Sequence, residues 1–204
     1  MQKLILTLKH LFQESAVAPN AKARVEGIVT EVKSAMEVAV CSLYLVNEKG
    51  LLSLAATEGL NPASVGKIQL PIGQGLVGRI AETKHPLNII SASEDPHFVY
   101  FPDSGEEIYE AFLGAPVVHA GELVGVLVVE QKERRKFSEE EESFLVTVAA
   151  QLGSTNPAEF QPEAEDSQLS TINHQLLGAT RRVRGIAGAP GVGIGNALLL
   201  SDTM

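Results

Sequence analysis

The sequence predicts an α+β fold, an antiparallel sheet with helices packed on it, and three observations carry that prediction. Two pairs of strand-like runs are each joined by a link short enough for a hairpin, which makes their strands antiparallel neighbours. Helical spacing of apolar residues precedes the first pair and follows the second. Between the pairs lies only one short helical stretch, so the repeated strand–helix–strand units of a parallel sheet are missing.

The elements follow in order. Residues 4–12 place Leu4, Leu8, Leu11 and Phe12 on one face of an amphipathic helix. After Pro19-Asn20, the stretch "AKARVEGIVTEVKSAMEV" repeats apolar residues at Val25, Ile28, Val32 and Met36, again at helical spacing. Residues 40–46 ("VCSLYLV") and 51–57 ("LLSLAAT") are short, β-branched or alternating, and separated by "NEKG", whose Gly50 suits a turn with positive φ. "KIQLPI" alternates as a third strand. The glycine-bearing run "GQGLVGRIAE" then opens a helix that Pro86 closes before "LNI". Residues 91–112 read as irregular, with Asp95-Pro96 and Pro102 as breakers. "GAPVVHA" and "ELVGVLVVEQ" form the second hairpin around Gly121. Ser138 caps the helix of "FSEEEESFLVTVAAQL", with acids in its first turn, Glu141 at the capping-box position and Phe137 as a staple. Residues 1–152 thus make one domain. Residues 153–170 are polar, acidic and proline-bearing, a linker. Residues 171–204 carry a weak helical pattern and a solvated basic run, "RRVR", before "GIAGAPGVGIGNALLL", and read as the truncated start of a second region.

Composition removes several function classes. A formal net charge of −9 over 204 residues gives no electrostatic case for nucleic acid or an anionic membrane. A single cysteine, Cys41, allows neither an intrachain disulfide nor a thiolate zinc cluster, and no metal site is expected. In its apolar run the thiol packs as a small hydrophobe. No run approaches about 18 consecutive apolar residues, and the start of the chain lacks a small-residue cleavage site, so a cytoplasmic location is expected.

"LPIGQGLVGRIAE" (70–82) contains G-x-G-x-x-G at Gly73, Gly75 and Gly78, with Asp95 20 residues past Gly75. A dinucleotide site needs those glycines between a buried parallel strand and a full crossover helix. Here the preceding strand contains Pro71, which suits an edge, and the helix has about eight residues before Pro86. Asp95 lies in a turn. The glycines are therefore expected to make a tight turn into a short helix, leaving the amides of Leu76 and Val77 near its N-terminus, and NAD(P)(H) is not expected to bind.

"CSLYLV" with its hairpin, "GQGLVGRIAETKHPLNI", "EDPHF" and "LGAPVVHAGELVGVLVVEQKERRKFSEEEESFLVTVAAQL" together resemble a GAF domain, a small-molecule sensor fold. With "FVYFPDSGEE" before it, the last stretch resembles the GAF branch that heads the nitrogen-type Enzyme I family, phosphoenolpyruvate–protein phosphotransferases of the nitrogen phosphotransferase system. "RGIAGAPGVGIGNALLL" resembles the opening of that family's catalytic region. The resemblance implies a longer enzyme that phosphorylates its own histidine from phosphoenolpyruvate with Mg²⁺ and passes the phosphoryl group to a small nitrogen-type phosphocarrier protein. That histidine belongs to a glycine-rich Ser-His motif. None of His10, His85, His97, His119 or His174 sits in one, so these 204 residues are expected to be catalytically inactive.

For the sensor, the resemblance implies a pocket on one sheet face under the glycine-motif helix. Ser42 and Tyr44 would point into it, Leu76 and Val77 would roof it, Ser93, Phe98, Tyr100 and Phe101 would come from the irregular segment, and Val126 and Val128 from the last strand. Alternation agrees, since Ser42 and Tyr44 share a face, as do Val126 and Val128. The residue set of cyclic-nucleotide-binding GAF domains and the cysteines of GAF-type methionine sulfoxide reductases are absent. The nitrogen branch suggests glutamine or 2-oxoglutarate as effector. The resemblance also implies a homodimer through terminal helices, for which residues 4–12 and 142–152 offer apolar stripes. The competing expectation is a structural dimerisation module without a ligand. An autonomous GAF enzyme is disfavoured by the single cysteine and the absence of an acid–base constellation.

Overall fold

The computed structural model describes residues 20–99 and 109–155. The expected helix over 4–12, all but the first three residues of the 153–170 linker, and the region 171–204 lie outside the described residues. Helix α1 (Ala21–Met36) begins where the Asn20 side chain accepts the Ala23 amide at 2.8 Å. Its buried residues are the stripe read from the sequence, Val25, Ile28, Val32 and Met36, with Val29 in addition. Strands β1 (Val40–Val46) and β2 (Leu52–Glu58) pair as the first hairpin, and β3 is only Gln69–Leu70. Helix α2 (Gly75–Thr83) and β4 (Leu87–Ile89) follow. The second hairpin is β5 (Ala111–His119) with β6 (Glu122–Gln131), and α3 (Glu139–Ser154) closes the domain.

The six strands lie in the order β3-β2-β1-β6-β5-β4, and every pair is antiparallel. The glycine motif and α2 connect β3 and β4, which are the opposite edges of the sheet and run antiparallel, so they do not form the parallel strand–helix–strand unit of a dinucleotide site. β3 falls short of "KIQLPI" because Pro71 has no amide to continue the ladder and Gly66 bends the chain on its other side. α3 runs two residues past the expected boundary, through Gly153, whose missing side chain lets it sit directly against the Val118 backbone.

One sheet face is covered by α1 and α3. Cys41, Leu43, Leu45, Leu113, Ala115, Val117, Leu127 and Val129 meet Ile28, Val32, Phe144, Leu145, Val148 and Leu152 there, all buried. Each fully buried side chain of Val or Leu size contributes about 1.5–3 kcal/mol. The apolar stripe of 142–152 is therefore spent inside the domain, which corrects the expectation that it stays exposed for a partner. α3 starts with a full capping box: Ser138 Oγ accepts the Glu141 amide, and the Glu141 carboxylate accepts the Ser138 amide at 2.8 Å. Phe137 is no staple, since the position it would meet is Glu142. It is buried in the core with the Arg135 guanidinium 4.3 Å above its ring.

The other face carries α2. Leu76, Ile80 and Ala81 pack there on Tyr44, Leu52, Leu54, Phe112, Val126 and Val128. Asn88 of the edge strand β4 ties the sheet to the start of α3. Its amide donates to the Phe137 carbonyl and Glu142 Oε2 and accepts the Phe137 amide.

Candidate functional site

The glycine motif serves α2. Gly73 and Gly75 have φ of +88° and +70°, the left-handed region that other residues enter at a cost of about 1–2 kcal/mol. Gly78 lies so close to the preceding turn that a Cβ there would come within 2.8 Å of the Pro71 carbonyl oxygen. The turn thus folds back under its own helix, and the first turn of α2, with Leu76 and Val77, is pressed onto the sheet. Asp95 serves its own turn by accepting the His97 amide at 2.9 Å.

Beneath this helix start lies a small cavity of about 30 Å³, lined by Ser42, Tyr44, Leu70, Gly75, Leu76, Val77, Phe98, Val99, Phe112, Val128 and Glu130. That is room for one or two water molecules. The floor comes from side chains alternating along three adjacent strands. Ser42 pairs across the ladder with Val128, and Glu130 with Phe112 and Val40. The roof is α2 with Phe98 and Val99. The buried Ser42 hydroxyl lies 2.8 Å from that of the half-buried Thr57 on β2. Glu130 is 8% exposed, so a carboxyl group forms part of an otherwise largely apolar wall.

Six of the expected residues meet here: Ser42, Tyr44, Leu76, Val77, Phe98 and Val128. Val126 is fully buried under α2 but does not reach the cavity wall. Ser93 is elsewhere. It donates to Glu110 Oε2 at 3.1 Å, and Ser91 donates to the same oxygen at 2.6 Å. These two hydroxyls hold the Glu110 carboxyl below its ordinary range and fasten the short 3₁₀ turn Ala92–Glu94 to the start of β5. Tyr100 and Phe101 lie outside the described residues. Leu70, Gly75, Val99, Phe112 and Glu130 line the cavity without having been expected there, although alternation from Val126 and Val128 leads directly to Glu130.

Cys41 points to the opposite face. Burial, and then the nearby Glu130 charge, push its thiol far above the ordinary range, so it is an inert core group. Among the described residues no group of three or more histidine, cysteine or acidic side chains is placed to hold a metal ion. No described helix is long and apolar enough to cross a membrane. A larger cleft of about 420 Å³ lies by the β1–β2 turn, between Lys22 and Val25 of α1 and Leu45, Val46, Asn47, Ser53 and Leu54. Its Asn47 side chain is already used by the turn, accepting the amides of Lys49 and Leu51.

The GAF domain family matches residues 20–155. Among solved structures, the GAF domain from a phosphoenolpyruvate-protein phosphotransferase of Coxiella burnetii is 38% identical, with a TM-score of 0.71, over 78% of this chain and 92% of that one. The GAF domain from the Acinetobacter phosphoenolpyruvate-protein phosphotransferase is also 38% identical, with a TM-score of 0.66, over 74% and 90% of the two chains. A curated relative from Escherichia coli K12, described as a phosphoenolpyruvate-dependent phosphotransferase system protein, is 34% identical over 94% of this chain. The chain spans about a quarter of that relative's length, 24%.

Proposed function

Because the chain belongs to the GAF domain family, we propose that it is the regulatory, small-molecule-sensing domain of a cytoplasmic phosphoenolpyruvate–protein phosphotransferase. In this reading an effector bound under α2 controls histidine autophosphorylation, with Mg²⁺, and transfer to a nitrogen-type phosphocarrier protein. Glutamine and 2-oxoglutarate are the effector candidates. The observation that carries the reading is the cavity itself, where hydroxyls and a carboxyl converge on an apolar wall beneath a helix start, the usual make-up of a small-molecule site. An effector larger than one or two water molecules requires the cavity to widen.

The test is a thermal-shift screen of metabolites on the 204-residue chain, since a ligand that binds only the folded state raises its melting temperature. A shift that disappears in Val77→Trp, which fills the cavity, is the expected result. No shift with any metabolite, or one that survives Val77→Trp, overturns the reading. Incubation with labelled phosphoenolpyruvate should leave the 204 residues unlabelled, and label on them would place a catalytic histidine within this chain.

The small volume of the cavity favours a second reading, a structural module that needs no ligand. Both readings include a homodimer through terminal helices. Its remaining argument is the stripe of Leu4, Leu8, Leu11 and Phe12, and a monomer mass by light scattering at tens of micromolar would remove it.

A further inference from the structure

We propose that the two-residue turn between β5 and β6 couples the end of α2 to the end of α3, so that loosening either helix end loosens the other. The coupling belongs to the fold and does not depend on whether the cavity takes an effector. Three observations carry it.

First, both helices end on this turn, from opposite faces of the sheet. On the cavity side, the Nζ of Lys84, the residue that ends α2, donates to the Gly121 carbonyl at 2.7 Å. On the dense side, the last turn of α3 meets the residue before the turn, where His119 Nδ1 lies 2.6 Å from the Gly153 carbonyl oxygen. A carbonyl only accepts, so Nδ1 carries the hydrogen, and His119 satisfies one of the carbonyls that a helix end leaves without a partner. Gly153 also packs so closely on the Val118 backbone that a side chain there would collide with it.

Second, the backbone at this junction is held in a conformation that needs support. Three non-glycine residues have positive φ among the described residues, and two of them are Lys84 at +54° and Ala120 at +48°. A helix end and a two-residue hairpin turn usually take glycine, asparagine or aspartate in such places. Backbone of this kind persists where the surrounding structure fixes it. Glycine at position 84 would suit the backbone but lose the bond to Gly121, so the lysine serves more than the helix cap.

Third, the two contacts share a short, hydrogen-bonded piece of chain. Gly121 and His119 are two residues apart, His119 pairs with Glu122 across the turn, and Val118 pairs with Leu123. The pairing shifts register between Val117 and Val118, which sets this tip of the hairpin off from the rest of the ladder.

The experiment follows amide hydrogen exchange by NMR on the 204-residue chain and its variants, since exchange reads local opening. Lys84→Gly removes the ammonium group while suiting the backbone at that position. It should speed exchange at residues 152–155 at least threefold, although the lost bond is to Gly121. Reciprocally, His119→Phe should speed exchange of the Lys84 amide, which donates to the Ile80 carbonyl at 2.8 Å, because coupling acts in both directions. His119→Asn, which keeps a donor near the Nδ1 position, should restore the wild-type rates. With Lys84→Gly and His119→Phe together, residues 152–155 should exchange no faster than with His119→Phe alone. The amides of Val29 and Val32 in α1 report the domain as a whole and should not change. Unchanged exchange at residues 152–155 in Lys84→Gly, or equal acceleration in α1, overturns the proposal. If Lys84→Gly does not fold, Lys84→Met, which keeps the length of the side chain without its donor, carries the same test. If His119→Phe does not fold, the Lys84 variants decide alone.

Discussion

Leu127 and Val128 are neighbours in β6 and face opposite sides of the sheet, and they meet different environments. Leu127 enters an all-apolar layer formed with α1 and α3, where two 16-residue helices cover the strands. Val128 enters a layer covered by the nine-residue α2 and loop residues, where a small cavity remains between apolar side chains and a buried carboxyl group. One face is built for density, and the other trades density for polar groups in a space a ligand could take. The difference shows how a single sheet divides labour: alternation gives each strand one face for holding the domain together and one for a site.

The strongest way to break this comparison is to truncate the two neighbours separately. Leu127→Ala should cost about 2–5 kcal/mol, because the dense layer cannot collapse around the loss. Val128→Ala should cost about 1.5 kcal/mol, the value of the methyl groups removed, since water can enter a space that already has polar lining. Urea denaturation of both variants measures this, and equal losses would mean that the two faces are packed alike.

The helix-covered face also depends on how α3 begins. Ser138→Ala should cost about 1 kcal/mol in urea denaturation through loss of the cap. A cost near zero would show that packing of Phe144, Leu145 and Val148 fixes the helix start by itself.

A smaller effect concerns acid. Burial pushes the Glu141 carboxyl up, but the paired hydrogen bonds from Arg135, at 2.9 and 2.8 Å, and the bond from the Ser138 amide outweigh it and hold the group below its ordinary range. A carboxylate lowered in the folded state stabilises the fold above its unfolded pKa. That contribution is lost as pH falls through the lower, folded value. Glu141 is partly exposed, so solvent screening limits it to less than about 1 kcal/mol. Glu141→Gln should therefore flatten the stability curve on its acid side, below the ordinary glutamate range, in denaturation series run from neutral pH downward. An unchanged acid limb would mean that Glu141 acts only as a cap.

The last prediction tests the cavity side through binding. Tyr44→Phe should weaken effector binding several-fold, the loss of about one hydrogen bond, measured on variant protein that circular dichroism shows to be folded. Unchanged binding would place the Tyr44 hydroxyl outside the site.

The legible parts of this fold were those set by local chemistry. β1 occupies residues 40–46 as its composition suggests, and Ser138 and Glu141 announce the start of α3 within three residues of each other. Gly73, Gly75 and Gly78 disclosed a tight turn, because backbone strain and close approach are local matters. What stayed hidden depended on partners far along the chain. Ser93 looked like a pocket residue until Glu110, 17 residues away, claimed its hydroxyl. The 142–152 stripe looked like a dimer surface because a sequence does not say whether a sheet of the same domain will cover it. Glu130 was overlooked for another reason: acids are usually exposed, and only the register of β6 against β1 and β5 puts this one indoors.

The burial of Cys41 has a practical consequence. It is the only thiol in the sequence and sits in the central strand β1 with no exposed surface. A thiol reagent can modify it only while the sheet is open, so the labelling rate serves as a built-in clock for that opening. An effector that tightens the domain would slow the clock, and one that loosens it would speed it. The molecule therefore carries its own reporter of conformational change, readable without adding a dye or altering a residue.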